Sequence, residues 1–290
     1  MVKKRDFSFY FCLTIFVVFL LFLYGPTLTI ILLSFQGPQG GLTFPMNGFS
    51  FHWFYKLFEG GGYVDIGSAF KRSFFLGSVV MILTVILSVA AGMAFRTKFP
   101  GSNTLFYLTI SSLIVPSIIL SLGIALEFRL IDEAIKQIGY TFDVVWINEA
   151  FQTTLGMFTS GLGAQLTWTL PFGLLIMFAV FNRFDKSLEE AARDLGASPF
   201  QTFCNIVLPI IGPSILGIAL FGFTLSYDEL ARSSQVMGST NTLPLELKGL
   251  TTTVTTPVIY ALGTVTTAIS FSIIFSIIFL YLYLRKNRNS

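Results

Sequence analysis

The sequence predicts an all-α integral membrane protein, a bundle of six membrane-spanning helices with both termini in the cytoplasm. Composition is the first observation. Of 290 residues, 53% are hydrophobic and 11% charged, whereas a soluble chain carries about 25% charged residues. Spans are the second. The stretches 7–33, 74–95, 105–126, 155–181, 209–226 and 258–284 contain no Asp, Glu, Lys or Arg. Each is long enough for a hydrocarbon core roughly 30 Å thick, which takes about 17–25 helical residues. Their lengths and missing polar faces exclude buried helices of a large soluble core. The third observation is the bias of basic residues. With the N-terminus inside, the pieces 1–6, 96–104, 182–208 and 285–290 hold 11 of the 18 basic residues and 5 of the 15 acidic ones, the asymmetry that orients membrane proteins. Lys71 and Arg72, placed outside beside a span, run against it.

The first stretch follows Lys3, Lys4 and Arg5. It is longer than the ~7–15 apolar residues of a secretory signal and no A-x-A cleavage site follows, so it is expected to stay as an anchor. The outer piece 34–73 has Gly-rich turns at 37–41 and 60–62 and an aromatic segment, 49–58, suited to the membrane interface. In the outer piece 127–154 the amphipathic run 130–138 predicts a short surface helix. Span four carries Gln165, Thr167, Trp168, Thr169 and Pro171, with Gly161 and Gly163 just before. Polar groups in a span are candidates for a translocation path, because facing them to lipid is costly. Gln165 and Trp168 are therefore path candidates, and ordinary helix packing through small and hydroxylic residues accounts for them equally well. Span five ends in Thr224, Tyr227, Asp228 and Glu229. The two carboxylates would attract a cation, and the Tyr227 ring face would add roughly 0.5–2 kcal/mol. The alternative is an interfacial cap paired with Arg232. Residues 227–257, rich in Thr and Ser, read as a partly folded loop before the last span.

Catalytic and cofactor chemistry finds no foothold. There is no G-x-x-x-x-G-K-[ST] phosphate loop, and Gly161-Leu-Gly163 lacks the remaining glycine and a strand context. His52 stands alone, without metal-ligand companions. No G-x-S-x-G elbow occurs, and Cys12 and Cys204 form neither a disulfide framework nor a CxxC pair. A net charge of +3 on so apolar a chain gives no nucleic-acid signal. The chain is expected to be a non-enzyme with membrane lipid around it, no metal and no cofactor of its own.

The connection 182–208, between spans four and five, carries the clearest pattern. Ser187 with Glu190 and Ser198 with Gln201 each fit a capping box, with Pro199 at the first helical position of the second. Gly196 stands between them where a left-handed residue ends a helix. Two short helices meeting at a corner follow. The first aligns Leu188, Ala191, Ala192 and Leu195 at i, i+3, i+4 and i+7, an apolar stripe with small residues at its centre, flanked by Glu189, Arg193 and Asp194.

Glu190-Ala191-Ala192, three residues, Gly196, nine residues, Ile206, one residue, Leu208-Pro209 resembles the EAA loop of ABC importer permeases without a deviation in spacing. The segments 192–200, 222–229 and 241–246 look most like the second permease subunit of spermidine/putrescine-type importers. Two departures stand out, a longer stretch at 127–153 and the cation of Ala231-Arg232 beside the acidic pair. The resemblance implies a MetI-like permease bundle forming a single transmembrane domain over 1–290 in a bacterial inner membrane. Leu188, Glu189, Glu190, Ala191, Ala192, Arg193, Asp194, Gly196, Ile206, Leu208 and Pro209 would make up the coupling element against an ATPase. It also implies two ATP-binding subunits holding ATP and Mg, a second homologous permease, and a periplasmic or lipid-anchored solute-binding protein. The cargo would be a small solute, polyamine-like or another small cation, moved by alternating access. The rival is a gradient-driven secondary transporter or channel. Such proteins commonly use ionisable groups at mid-span or inverted repeats, and neither is visible.

Overall fold

A computed structural model describes residues 7–59, 66–253 and 256–288; the basic residues at 3–5 and the turn expected at 60–62 lie outside the described residues. The regular structure described is helical: α1 (Phe7–Leu33), α2 (His52–Phe58), α3 (Ile66–Ala94), α4 (Ser102–Ser111), α5 (Ser117–Phe142), α6 (Val145–Ala150), α7 (Leu162–Asn182), α8 (Ser187–Asp194), α9 (Pro199–Thr202), α10 (Leu208–Tyr227), α11 (Leu243–Thr253) and α12 (Val258–Arg288). A π-helical turn, Met157–Gly161, leads into α7, and another, Phe203–Val207, joins α9 to α10. The second has a local cause. Pro209 has no N–H, and its ring would crowd the carbonyl four residues back, so a wider turn ahead of it relieves the clash.

Five helical runs among the described residues are long and apolar enough to cross a membrane: Phe7–Leu33, Ile66–Ala94, Met157–Asn182, Pro199–Tyr227 and Val258–Ser276. The stretch 105–126 is not one helix. It divides into α4 and α5 around 112–116, because Pro116 lacks an N–H and holds the residue before it out of the helical region. The run 130–138 is likewise no separate surface helix but the middle of α5, which continues for 26 residues to Phe142. Span two begins before 74: α3 starts at Ile66, and Lys71 and Arg72 ride on its first turns. The connection read as a partly folded loop is folded over its described part, 227–253. It contains α11, and Arg232, Ser233, Val236 and Met237 are buried.

The helices divide into two compact units, residues 1–65 with 247–290, and residues 66–246. In the first, α12 packs against α1 and α2. Buried Gln36 organises the turn after α1: its amide donates to the carbonyls of Gly41 and Thr43 and accepts the Asn47 N–H at 2.7 Å. Phe35, Phe49, Phe51 and Phe54 cluster beside it. Most side chains of α1 are uncovered, Phe22 to 81%, as suits a helix in lipid.

The second unit is built on α3, α7 and α10, which pack against one another. Met177, Phe181, Val207, Ile211 and Ile218 form one buried cluster, and Leu76, Val80 and Met237 another. Lipid tails are as apolar as Leu, so close packing and interhelical hydrogen bonds hold such helices together. Here Thr84 and Thr169 are hydrogen-bonded at 2.7 Å. Gly173 lies so near α3 that a methyl in its place would sit 2.0 Å from Ser88 Oγ.

Candidate functional site

The 182–208 elbow is shaped by its local sequence. α8 ends in a Schellman turn: Ala197 N–H donates to Ala192 O at 3.0 Å and Gly196 N–H to Arg193 O at 2.8 Å. Gly196 has φ +85°, which a residue with a Cβ reaches only at a cost of about 1–2 kcal/mol. The capping box at the start of α9 is present in full, Ser198 N–H donating to Gln201 Oε1 at 2.8 Å and Gln201 N–H to Ser198 Oγ at 3.3 Å, with Pro199 following. The box expected at Ser187 and Glu190 is absent. α8 begins one residue earlier, with Lys186 at its N-cap, and Asp185 Oδ1 accepts the Ser187 N–H at 3.0 Å. Hydrogen bonding from the Ser187 side chain, and then from its backbone N–H, holds the Asp185 carboxyl below its ordinary value.

Behind the elbow lies an ion pair that spacing gives no hint of. Arg96, just past α3, donates to both carboxylate oxygens of Glu189 at 2.7 and 2.9 Å. The two side chains are only 10% and 13% exposed, and the guanidinium stands 5.2 and 5.1 Å from the rings of Phe181 and Phe184. α8 is thus seated on the ends of α3 and α7. The Arg96 hydrogen bonds keep the Glu189 carboxyl low, against burial, and the charges of Arg96, Arg193 and Lys186 act the same way.

Glu189 faces inward, whereas the outer side of the elbow is bare. Leu188, Glu190, Ala191, Arg193, Asp194 and Gly196 are exposed, Ala192 and Ile206 half-buried, and Leu208 and Pro209 exposed. Leu195 is 90% exposed and Phe200 75%. Both are large apolar side chains left open on a polar connection. Leu195 belongs to the predicted stripe. Phe200 does not, since it comes from α9.

The span-four and span-five candidates divide. Gln165 is buried, donates from Nε2 to Ser233 Oγ at 3.0 Å, and accepts from Ser226 Oγ. Trp168 lies beneath the Arg232 guanidinium, 4.8 Å from ring centroid to Cζ. Glu229 Oε1 accepts the backbone N–H of Arg232 at 2.8 Å. Glu229 thus meets Arg232 as a cap on its backbone. Tyr227 is buried, stacked on Phe223 at 5.6 Å. Thr224 donates to Leu220 O within its own helix at 2.9 Å, away from the Gln165 network. Asp228 is exposed at the end of α10.

Arg96, Phe181 and Phe184, together with Ser226 and Ser233, are the residues that spacing alone misses. For Arg96 and Ser226 the one legible signal is a charge or hydroxyl at the very end of an apolar run; Phe181, Phe184 and Ser233 carry none. Among the described residues no group of three or more His, Cys, Asp or Glu side chains is placed to hold a metal ion.

Comparison with known proteins bears on this arrangement. Residues 84–289 match the family described as binding-protein-dependent transport system inner membrane component. The spermidine/putrescine transport system permease protein PotC of Haemophilus influenzae is 28% identical over 270 residues, 92% of this chain and 94% of that protein. The putrescine transport system permease protein PotI of Escherichia coli K12 is 31% identical over 227 residues, 77% of this chain and 74% of that protein. Among solved structures, a bacterial ABC transporter that imports the acidic polysaccharide alginate superposes with a TM-score of 0.69 at 15% identity, covering 96% of each chain, a likeness of fold.

Proposed function

This chain belongs to the binding-protein-dependent transport system inner membrane components, and on that footing we propose that its 182–208 elbow is the contact through which an ATPase drives it. The chain is a non-catalytic permease subunit of an importer, and membership in this family argues against a gradient-driven carrier or channel. The observation that carries the coupling assignment is the two-sided elbow. Leu195 and Phe200 stand 90% and 75% exposed on its outer side, while Arg96 clamps Glu189 from behind. A surface so built can receive a partner and pass its displacement to α3 and α7.

In this reading Glu190, Ala191, Ala192 and Gly196 line the contact, Leu188, Arg193 and Asp194 border it, and Ile206, Leu208 and Pro209 carry the motion into α10. Glu189 acts from the inner side. Two ATP-binding subunits holding ATP and Mg, one further permease and a solute-binding protein complete the assembly in a bacterial inner membrane, both termini of this chain facing the cytoplasm. The alignment with the Haemophilus relative runs over 92% of the chain, which supports treating 1–290 as one permease domain although its helices form two compact units. Cargo is a small polyamine-like cation, a class supported by the names of the relatives. Alternating access needs no more than unequal affinity of ATP and cargo for the inward- and outward-open states. Gln165 and Trp168 of α7, Thr224 and Tyr227 of α10, and Asp228 and Glu229 just past α10 are the candidate cargo contacts in this reading.

The test is co-purification together with uptake. Glu190→Ala and Gly196→Trp should insert normally, yet lose most ATP-driven uptake in vesicles and release the ATPase. Normal uptake by both variants would remove the elbow from coupling.

A further inference from the structure

The connection after α1 folds into a cap whose polar groups turn inward and whose rings turn outward. Besides the Gln36 turn, Trp53 is buried and donates from Nε1 to Gly37 O at 3.3 Å, and the Ser50 N–H donates to Phe35 O at 2.8 Å. Tyr260 of α12 donates from its hydroxyl to Leu42 O at 2.9 Å. On the outside Phe44 is 55% exposed, Phe49 70%, Phe51 55% and Tyr55 71%. Two of these rings are held in place: Phe49 stacks on Phe35 at 4.8 Å, and Phe51 meets Phe49 edge-on at 5.8 Å.

Charge and position together say what covers these rings. Residues 34–59 hold eight aromatic side chains and only two charged ones, Lys56 and Glu59, whereas 127–154 hold seven charged residues. A surface made for water carries about 25% charged residues; the second connection meets that proportion and the first falls far short. Position follows from α1. Its 27 residues run about 40 Å at ~1.5 Å per residue, against roughly 30 Å of hydrocarbon within a bilayer about 40–45 Å thick overall. Phe9, Tyr10 and Phe11 are exposed near its N-terminal end, an aromatic band at one face. The cap begins directly after Leu33 and so reaches the headgroup level of the other, where aromatic rings concentrate. It is also continuous with the uncovered, lipid-suited sides of α1.

We propose that the cap formed by residues 35–57 is an interfacial lipid anchor, in which Phe44, Phe49, Phe51 and Tyr55 sink into the boundary between headgroups and acyl chains. Its depth is passed to α12, which packs against both α1 and α2. The inference needs only that the chain spans a membrane and is independent of the coupling assigned to the 182–208 elbow. Hydrogen bonds closed within the cap suit it to a layer poor in water, where unpaired backbone groups are costly. Lys56 is exposed, with Nζ 5.5 Å from the Trp53 ring centroid; its stem lies among the rings while its ammonium meets the headgroups.

The test places a polarity-sensitive fluorophore on single cysteines in the full chain, with Cys12→Ser and Cys204→Ser as background, in phosphatidylethanolamine–phosphatidylglycerol nanodiscs. Phe44→Cys and Tyr55→Cys probe the cap at rings outside the Phe35 cluster, and Glu149→Cys, exposed on α6, is the aqueous reference. The rings should lie about 5–10 Å into the headgroup and acyl boundary. Emission at 44 and 55 should therefore be shifted to the blue, lose its quenching by iodide, and be quenched more by a nitroxide near the lipid headgroup than by one near the chain end. The same result is expected in the assembled importer. Iodide access equal to that at 149 would overturn the proposal. Protection from iodide and lipid nitroxides alike, alone or on assembly, would assign the surface to a protein and overturn it too, as would strongest quenching from the chain end. A second arm reads depth: with Phe44→Glu and Tyr55→Glu, a fluorophore at Leu32→Cys in the last turn of α1 should gain iodide access. Unchanged protection there would overturn the claim that the rings set the depth of α1.

Discussion

Removing the negative end of the Arg96–Glu189 pair probes how α8 is seated. Glu189→Gln keeps the shape and one acceptor oxygen while abolishing the charge. The wild-type pair is bidentate, at 2.7 and 2.9 Å, and its side chains are 10% and 13% exposed, so solvent screens it weakly. Breaking a buried pair by removing one partner costs about 3–5 kcal/mol, and a small discount for the wetted edges leaves about 2–3 kcal/mol here. At 1.4 kcal/mol per factor of ten, the balance between seated and detached α8 moves by about 30- to 140-fold. The assay is cargo transported per ATP hydrolysed by the reconstituted assembly. Hydrolysis should persist while transport per ATP collapses. Exchanging the charges, Arg96→Glu with Glu189→Arg, should restore part of the loss but not all, because Phe181 and Phe184 favour a guanidinium at position 96. The Glu189 carboxyl is held low. The pair's contribution is therefore complete above the usual carboxylate range and disappears as pH falls through the depressed value, and near neutrality the defect should not vary with pH. Wild-type transport per ATP in Glu189→Gln, or an interaction energy under about 0.5 kcal/mol in the double-mutant cycle, would refute the seating argument.

Gly196→Ala should destabilise the corner by about 1–2 kcal/mol, all of it backbone strain since a Cβ there meets nothing within 4 Å; Gly196→Asn should cost less, as read by ATPase retention on the purified complex. Gly173→Ala would put a methyl 2.0 Å from Ser88 Oγ, so the thermal midpoint of the solubilised chain should drop by the equivalent of about 1–3 kcal/mol, with part recovered by adding Ser88→Ala. Asp132 accepts from Thr153 Oγ1 at 2.6 Å, Thr154 N–H at 2.7 Å and Thr154 Oγ1 at 2.5 Å. Asp132→Ala should loosen this anchorage of residues 153–154 by about 1–3 kcal/mol, seen as faster proteolysis at 151–156. Burial raises the Asp132 carboxyl, but those hydrogen bonds and the Lys136 charge outweigh it and hold it low. The same loosening in wild type should thus appear only in acid, as pH falls through that depressed value.

What the sequence determined by itself is whatever depends on near neighbours. Apolar length made α1, α3, α7, α10 and α12 recognisable, and Gly196, Ser198 and Pro199 specify the corner because a Schellman turn and a capping box each involve residues within five positions of one another. Even there, locality misled once: Ser187 fits an N-cap pattern, but Lys186 holds the N-cap position and Ser187 is the first helical residue, its N–H held by Asp185. Hydropathy also ran through Pro116, whose backbone constraint divides 105–126 despite the unbroken apolar pattern. Tertiary structure alone decided which polar groups meet. Glu189 finds Arg96 across 93 positions, and Arg232 finds Ser112 across 120. No periodicity encodes such a pairing, because it depends on how helix ends stack, and that depends on close contacts such as Gly173 against Ser88. A charge written in the connection after α10 thereby ends up buried against Trp168 of α7.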